Sequence, residues 1–246
     1  MPAGAAQSGM AYACVMKNDF WSSFHNQAAL AGNRGMIFGT SYEERFGMSE
    51  LGTCTAALIV PASHSAIGAI YSRFGYHDFS RQMAGLSCGL RISPALSAGI
   101  QADFFSEKTY GEYSSFNTVT FEVGLIAKFS SSLTGGIHLF NPLPSSFRKH
   151  GIASVIRSGL GLDAGNGLFT GCEFELTTGG SFDFRTGMEY ELSKSFRLRG
   201  GFMTRHSSFC LGFGYKARPA TIDFSISTHD RLGITSSVSL TFRLGN

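Results

Sequence analysis

Three histidine positions carry the chemistry that must be weighed first: His77-Asp78, His206 and His229-Asp230. An imidazole beside a carboxylate can be oriented and polarised as a general base, the device by which hydrolases activate a hydroxyl or thiol. That device also needs a nucleophile within hydrogen-bond reach, and the sequence places no Ser or Cys in that role. The surrounding pattern puts all three in connections at one rim, with His77 across from the other two. Solvated loop residues are the expectation; no catalytic residue, cofactor site or metal site is assigned.

A second set is ionic. Glu173, Glu175, Asp183, Arg185, Glu189, Glu191, Arg197, Arg199 and Arg205 recur at alternate positions through one stretch, and Asp103, Glu122, Lys128, Arg157, Asp163, Asp223 and Arg243 occupy the same phase elsewhere. Carboxylates and guanidiniums on neighbouring strands about 4.8 Å apart lie within cross-strand reach. Their mixed signs suit a charge-paired filling of a polar interior, with a wide aqueous pore as the alternative. His138, in the same phase beside Asn141, reads as a hydrogen-bonded filler.

The elements that position these charges are strands. From Ser181, Phe182, Phe184, Thr186, Met188, Tyr190 and Leu192 alternate with Ser181, Asp183, Arg185, Gly187, Glu189 and Glu191. After Ser193-Lys194-Ser195 the alternation restarts, with Phe196, Leu198, Gly200 and Phe202 against Arg197, Arg199, Gly201 and Arg205. A helix cannot sort residues with period two. Strands of about 11 residues exceed the usual 5 or 6 and match what crosses a bilayer at a tilt.

Fourteen such segments run near 34–43, 51–60, 65–76, 81–92, 95–106, 115–129, 132–141, 152–164, 167–177, 181–192, 195–205, 207–216, 219–229 and 232–244. The even number predicts an all-β fold, a 14-stranded antiparallel up-and-down transmembrane β-barrel. Its long connections, Glu44 to Glu50, Glu107 to Ser114 and Asn141 to Gly151, share one end, opposite the short turns. The strand around Ile67 to Tyr76 is apolar in both phases. Phe140, Met203 and Tyr71 are the large apolar residues expected inside.

Composition agrees. The 246 residues are 43% hydrophobic and 15% charged, with 31 Gly, 23 Phe and 6 Pro, below the roughly 25% charge of a soluble domain. No apolar run approaches a membrane helix; the longest aliphatic stretch is Ala56 to Val60. The net charge of +3 is spread along the chain and gives no support to nucleic-acid binding. Five scattered cysteines, odd in number and without a C-x-x-C pair, predict small fillers, neither a disulfide framework nor a zinc site.

Residues 1–33 lack the alternation and hold the only Trp. They are expected to form a plug before the barrel of residues 34–246. The start Met1-Pro2-Ala3-Gly4 has neither a basic nor an apolar leader region. An outer-membrane protein needs a signal peptide, so a leader that was removed, truncated or missed is expected.

Within this segment, Asp19, Phe24, Asn26, Ala28, Leu30 and Ala31 resemble the N-terminal motif of the FadL-type outer-membrane barrels, an Asp and an aromatic before Asn-Pro-Ala-Gly-Leu-Ala. Gln27 and Ala29 stand where Pro and Gly are usual; Gly9-Met10-Ala11 is similar to the opening of the mature domain. Trp21, Phe24, His25 and Asn26, with Gly136-Ile137-His138-Leu139-Phe140-Asn141-Pro142, resemble more closely the PorV/PorQ-like branch of Bacteroidetes. The resemblance implies a bacterial outer-membrane barrel with an N-terminal plug, in a branch that includes partner and shuttle subunits of protein secretion machinery.

The leading functional expectation is therefore a non-enzymatic accessory subunit of a larger outer-membrane secretion or assembly complex. Its contacts would be membrane lipid and the complex, with Phe79, Tyr110, Tyr113, Phe116 and Phe147 as a possible partner rim. An interfacial aromatic girdle explains those residues equally well. The alternative is a FadL-type passive transporter of hydrophobic small molecules, which would need an apolar path inside. A barrel enzyme and a purely structural barrel complete the set.

Overall fold

The computed structural model describes residues 3–109, 115–142 and 152–244. The strands are β1 (Met36–Glu44), β2 (Gly52–Pro61), β3 (Ser65–Gly75), β4 (Phe79–Arg91), β5 (Leu96–Thr109), β6 (Phe116–Lys128) and β7 (Leu133–Phe140). They continue as β8 (Val155–Gly165), β9 (Leu168–Thr177), β10 (Ser181–Glu191), β11 (Phe196–Met203), β12 (Ser208–Ala217), β13 (Ala220–His229) and β14 (Gly233–Leu244). Each is antiparallel to its sequence neighbours, and β14 returns to β1 with Met36 opposite Leu244 and Glu44 opposite Ser236. The closed 14-strand barrel leaves no strand edge open. The expected segments all appear; β5 runs on to Thr109, and β8 starts at Val155.

Alternation sorts the two faces. On β5, Ile100 and Phe104 point out while Gln101, Asp103 and Phe105 point in. Outward residues such as Leu86, Phe129 and Phe209 are 64–68% exposed. A continuous belt of this kind is costly in water and favourable against lipid chains. Aromatic rings gather towards both of its margins: Phe196 lies 4.9 Å from Tyr215, and Phe174 lies 5.0 Å from Phe184.

The end where the chain enters β1 carries the short turns. Asn166 and Gly167, with φ of 53° and 78°, supply the two left-handed positions of a tight β8–β9 hairpin. At the opposite, loop end the β1–β2 connection folds as two 3-10 turns, Arg45–Gly47 and Ser49–Leu51.

Residues 3–33 lie inside the ring of strands. They form α1 (Ala5–Ser8) and the 3-10 turns Ser22–Phe24 and Gln27–Gly32, with almost every side chain buried. Glycines on the inner wall admit their backbone. A Cβ on Gly99 would fall 2.3 Å from the carbonyl carbon of Gln27, and one on Gly187 2.4 Å from the carbonyl oxygen of Met10.

Candidate functional site

The lumen is divided lengthwise into an ionic and an apolar sector, and the N-terminal segment faces both. On the ionic side, β9 and β10 pair side by side in the barrel wall with Asp183 opposite Glu175 and Arg185 opposite Glu173. Arg185 reaches Asp183 and Glu175 at 2.8 Å and Glu173 at 3.6 Å, while Arg157 of β8 holds Glu175 at 2.8 Å. Arg199 of β11 bridges Glu189 at 2.6 Å and Asp223 of β13 at 2.7 Å. These groups are buried except Arg157, which is half-buried, and each cation meets a carboxylate, so the lattice satisfies itself and leaves no single sign to select an ion.

Two members stand apart from it. Arg205 lies beyond β11 in the 3-10 turn Arg205–Ser207, 3.8 Å from Glu175, because the strand ends at Met203. Arg197 pairs with Glu191 at 2.7 Å near the turn end, where both are substantially exposed. A surface pair of that kind contributes about 0–1 kcal/mol.

The lattice also grips the N-terminal segment. Glu173 Oε2 accepts the backbone N–H groups of Cys14 at 3.0 Å and Val15 at 2.9 Å. Lys17 donates to Glu189 at 2.8 Å, and the Tyr12 hydroxyl to Glu43 at 2.7 Å. Asn26 is the central link: its Nδ2 reaches the carbonyl oxygens of Val15, Leu125 and Ile137, at 2.7, 3.1 and 3.2 Å. Its Oδ1 caps the turn Gln27–Gly32 by accepting from Ala28 N–H. Asp19 accepts from Ser22 N–H and from Gln7 Nε2, both at 2.8 Å, and the His25 ring lies 3.0 Å from the Ala3 carbonyl.

The apolar sector is the part that the sequence reading missed. Ile37, Ala57, Ile59, Ala66, Ile70, Met83 and Phe105 point inward from β1 to β5. Ile37 opposes Ile59, Ala57 opposes Ile70, and Met83 opposes Phe105, a seam running from the turn end towards the loop end. Phe20, Trp21, Phe24 and Leu30 of the N-terminal segment pack onto it. Phe20 meets Trp21 and Phe24 edge to face at 4.8 and 5.7 Å. Burying each such side chain contributes about 1.5–3 kcal/mol.

Tyr71 corrects the expectation in the other direction. It faces outward, 46% exposed, with its hydroxyl 3.0 Å from Gln82 Oε1. Ile70 takes the inward place. Phe140 does pack against the apolar cluster, 6.1 Å from Phe105, and Met203 is half-buried at the end of β11.

Between the sectors lies a buried knot of carboxyl, amide and imidazole groups. Gln27 Nε2 donates to Glu122 Oε2, which also lies 2.9 Å from His138 Nε2, and Gln101 Nε2 donates to Asp103 at 2.7 Å. Gln27 Oε1, Gln101 Oε1, Asp103 Oδ2, Thr120 Oγ1 and His138 Nδ1 find no hydrogen-bond partner among the described residues. His138 is thus tied to a carboxylate, and among the described residues no arginine pairs with Glu122 or Asp103.

At the loop end His77 sits 2.7 Å from Asp78, in the β3–β4 connection. His206 and His229 come together, their ring centroids 4.2 Å apart. Phe116 opens β6 and Phe79 opens β4; Tyr110, Tyr113 and Phe147 lie outside the described residues. On the outer wall, a recess of about 570 Å³ opens over Ala56, Ala69, Ala84 and Ala102, directly behind Ile70 of the apolar seam. The five cysteines are all free thiols.

No protein-family model and no curated protein matches the sequence. Solved structures do match. The TodX deltaS2S3 mutant, a monoaromatic hydrocarbon channel, gives a TM-score of 0.74 over 98% of this chain and 99% of that one, at 10% identity. A Pseudomonas aeruginosa FadL homologue gives 0.69 over 99% and 98%, at 14% identity. The Acinetobacter baumannii outer membrane protein Omp33 gives 0.59 over 85% and 98%, at 9% identity. At such identities the likeness is one of fold, that of FadL-type and related outer-membrane barrels.

Proposed function

We propose that this protein is a non-enzymatic, passive conduit for hydrophobic small molecules in the bacterial outer membrane, with residues 3–33 as the plug that closes its lumen. The observation that carries this reading is the apolar seam of β1–β5, covered by Phe20, Trp21, Phe24 and Leu30. A solute without hydrogen-bonding groups cannot replace the ion pairs of the other sector, but it can replace aromatic side chains on an apolar wall at little cost. The plug is tethered on the ionic side by Glu173 and Glu189. On the β1–β5 side its hydrogen bonds, Tyr12 to Glu43 and Arg91 to the Ala31 carbonyl, lie at the two ends of the aromatic contact that a solute would replace. The names of the structural neighbours, a monoaromatic hydrocarbon channel and a FadL homologue, support the same reading.

A second reading is an accessory subunit of a larger outer-membrane complex, in keeping with the PorV/PorQ-like motifs. The alanine-floored recess on the lipid-facing wall favours it, since a membrane-embedded partner could place a side chain there. One preparation separates the two. After extraction in mild detergent, a lipid-like molecule bound to a free monomer supports the conduit, and recovery in one large assembly supports the subunit. A free monomer with no bound molecule in repeated preparations counts against both.

A further inference from the structure

We propose that His206, His229 and Asp230 form a binding site for a divalent transition-metal ion of the zinc class at the loop-end rim. His206 lies in the β11–β12 connection, and His229 with Asp230 at the end of β13, so two separate connections supply the donors. The imidazole rings are stacked with centroids 4.2 Å apart and planes 25° apart. One ligand atom from each of the three residues lies within 4.8 Å of the other two. Donors held at about 2.1 Å around a tetrahedral ion stand roughly 3.4 Å from one another, so a shift of about an ångström in the exposed His206 and Asp230 side chains towards the half-buried His229 completes the set.

Two further features aim these residues at each other. His206 and Ser207 are consecutive left-handed residues, with φ of 61° and 44°, a backbone shape that ordinary side chains disfavour and that recurs at ligand sites. The same turn is tied across by the Asp230 N–H donating to the His206 carbonyl at 3.3 Å. Phe46 of the β1–β2 connection stands edge-on to His229 at 5.3 Å and shields one side.

The donor chemistry selects the ion. Two imidazoles and one carboxylate suit Zn²⁺, Co²⁺ or Ni²⁺, whereas Ca²⁺ and Mg²⁺ prefer a full set of oxygens. On binding, the 2.9 Å contact between His229 Nδ1 and Asp230 Oδ1 gives way to coordination, and water completes the tetrahedron. The ion would fasten the β11–β12 and β13–β14 connections together above one side of the lumen. His77-Asp78, a His-Asp pair in the separate β3–β4 connection, serves as the internal control.

The test is calorimetric titration of ZnCl₂ into the full chain in detergent, with the exposed thiols of Cys54 and Cys88 alkylated beforehand. The expected result is one ion per chain in the micromolar range, no heat with CaCl₂, and affinity lowered tenfold or more by His206→Ala, His229→Ala or Asp230→Asn. His77→Ala should leave the titration unchanged. A wild-type protein that takes up no zinc, or zinc binding that survives His206→Ala but falls with His77→Ala, overturns the proposal. Should a variant lose the heat-modifiable mobility of a folded barrel, zinc X-ray absorption of the wild type decides: imidazole scattering supports the site, and sulfur or all-oxygen ligation refutes it.

Discussion

Glu173 Oε2 lies 2.9 Å from the backbone nitrogen of Val15, a buried hydrogen bond between the barrel wall and a segment 158 residues away in the chain. The same oxygen accepts from Cys14. Replacing Glu173 by Ala leaves two buried N–H groups unpaired and takes a carboxylate from Arg185. Removing one partner of a buried charged cluster costs about 3–5 kcal/mol. Faster proteolysis of the N-terminal segment is expected, with the strands still protected; an unchanged cleavage rate would show that the segment is held elsewhere.

The glycine contacts make a sharper test of where the segment rests. Gly99→Ala would drive a methyl group into the Gln27 backbone, whereas at Gly200 the nearest atom to an added Cβ is Met188 Cγ at 3.8 Å. Hydrogen exchange across residues 3–33 should accelerate in the first variant and stay at the wild-type rate in the second. Equal effects would contradict the close packing on β5.

Two arginines one strand apart should differ in cost. Arg185 serves three carboxylates in the buried lattice, so Arg185→Met should destabilise by about 3–5 kcal/mol. Arg197 has only the exposed Glu191, and Arg197→Met should cost less than about 1 kcal/mol. Urea unfolding followed by gel mobility measures both. Similar losses would mean that the ionic sector is not the buried network described.

These differences also mark what was legible in the sequence. Period two is fixed by strand geometry, so β5, β6, β10 and β14, apolar on one side and polar on the other, could be read residue by residue. The ionic lumen was readable because Glu173, Asp183, Arg185 and Arg199 keep that phase. The apolar seam was not, because β2 and β3 are apolar in both phases: Ala57 and Ile59 point in while Leu58 and Val60 point out, and Ile70 sits beside Tyr71. Even on β5 the alternation fails at one place, where Phe104 points out and its neighbour Phe105 points into the seam. Only the position of Phe20, Trp21, Phe24 and Leu30 says which side is covered, and no local pattern encodes that. His206 and His229 were likewise unreadable as a pair, since their meeting depends on the register of β12 between them.

Phe24 connects the N-terminal segment to the proposed path. Phe24→Ala removes a buried ring from the seam and should cost about 3–5 kcal/mol of local packing. Trp21 is the chain's only tryptophan and shares the cluster, so its emission should move to longer wavelength as the seam admits water. An unshifted spectrum would place the loosened packing away from the N-terminal segment.

Passage of hydrophobic molecules can be measured as uptake of a radiolabelled monoaromatic hydrocarbon by cells whose outer membrane contains the protein. A conduit gives faster, non-saturating uptake than in cells without it, faster still with Phe24→Ala, and no matching gain for a sugar of similar size. Hydrocarbon uptake equal to that of cells lacking the protein, in wild type and Phe24→Ala alike, would contradict it.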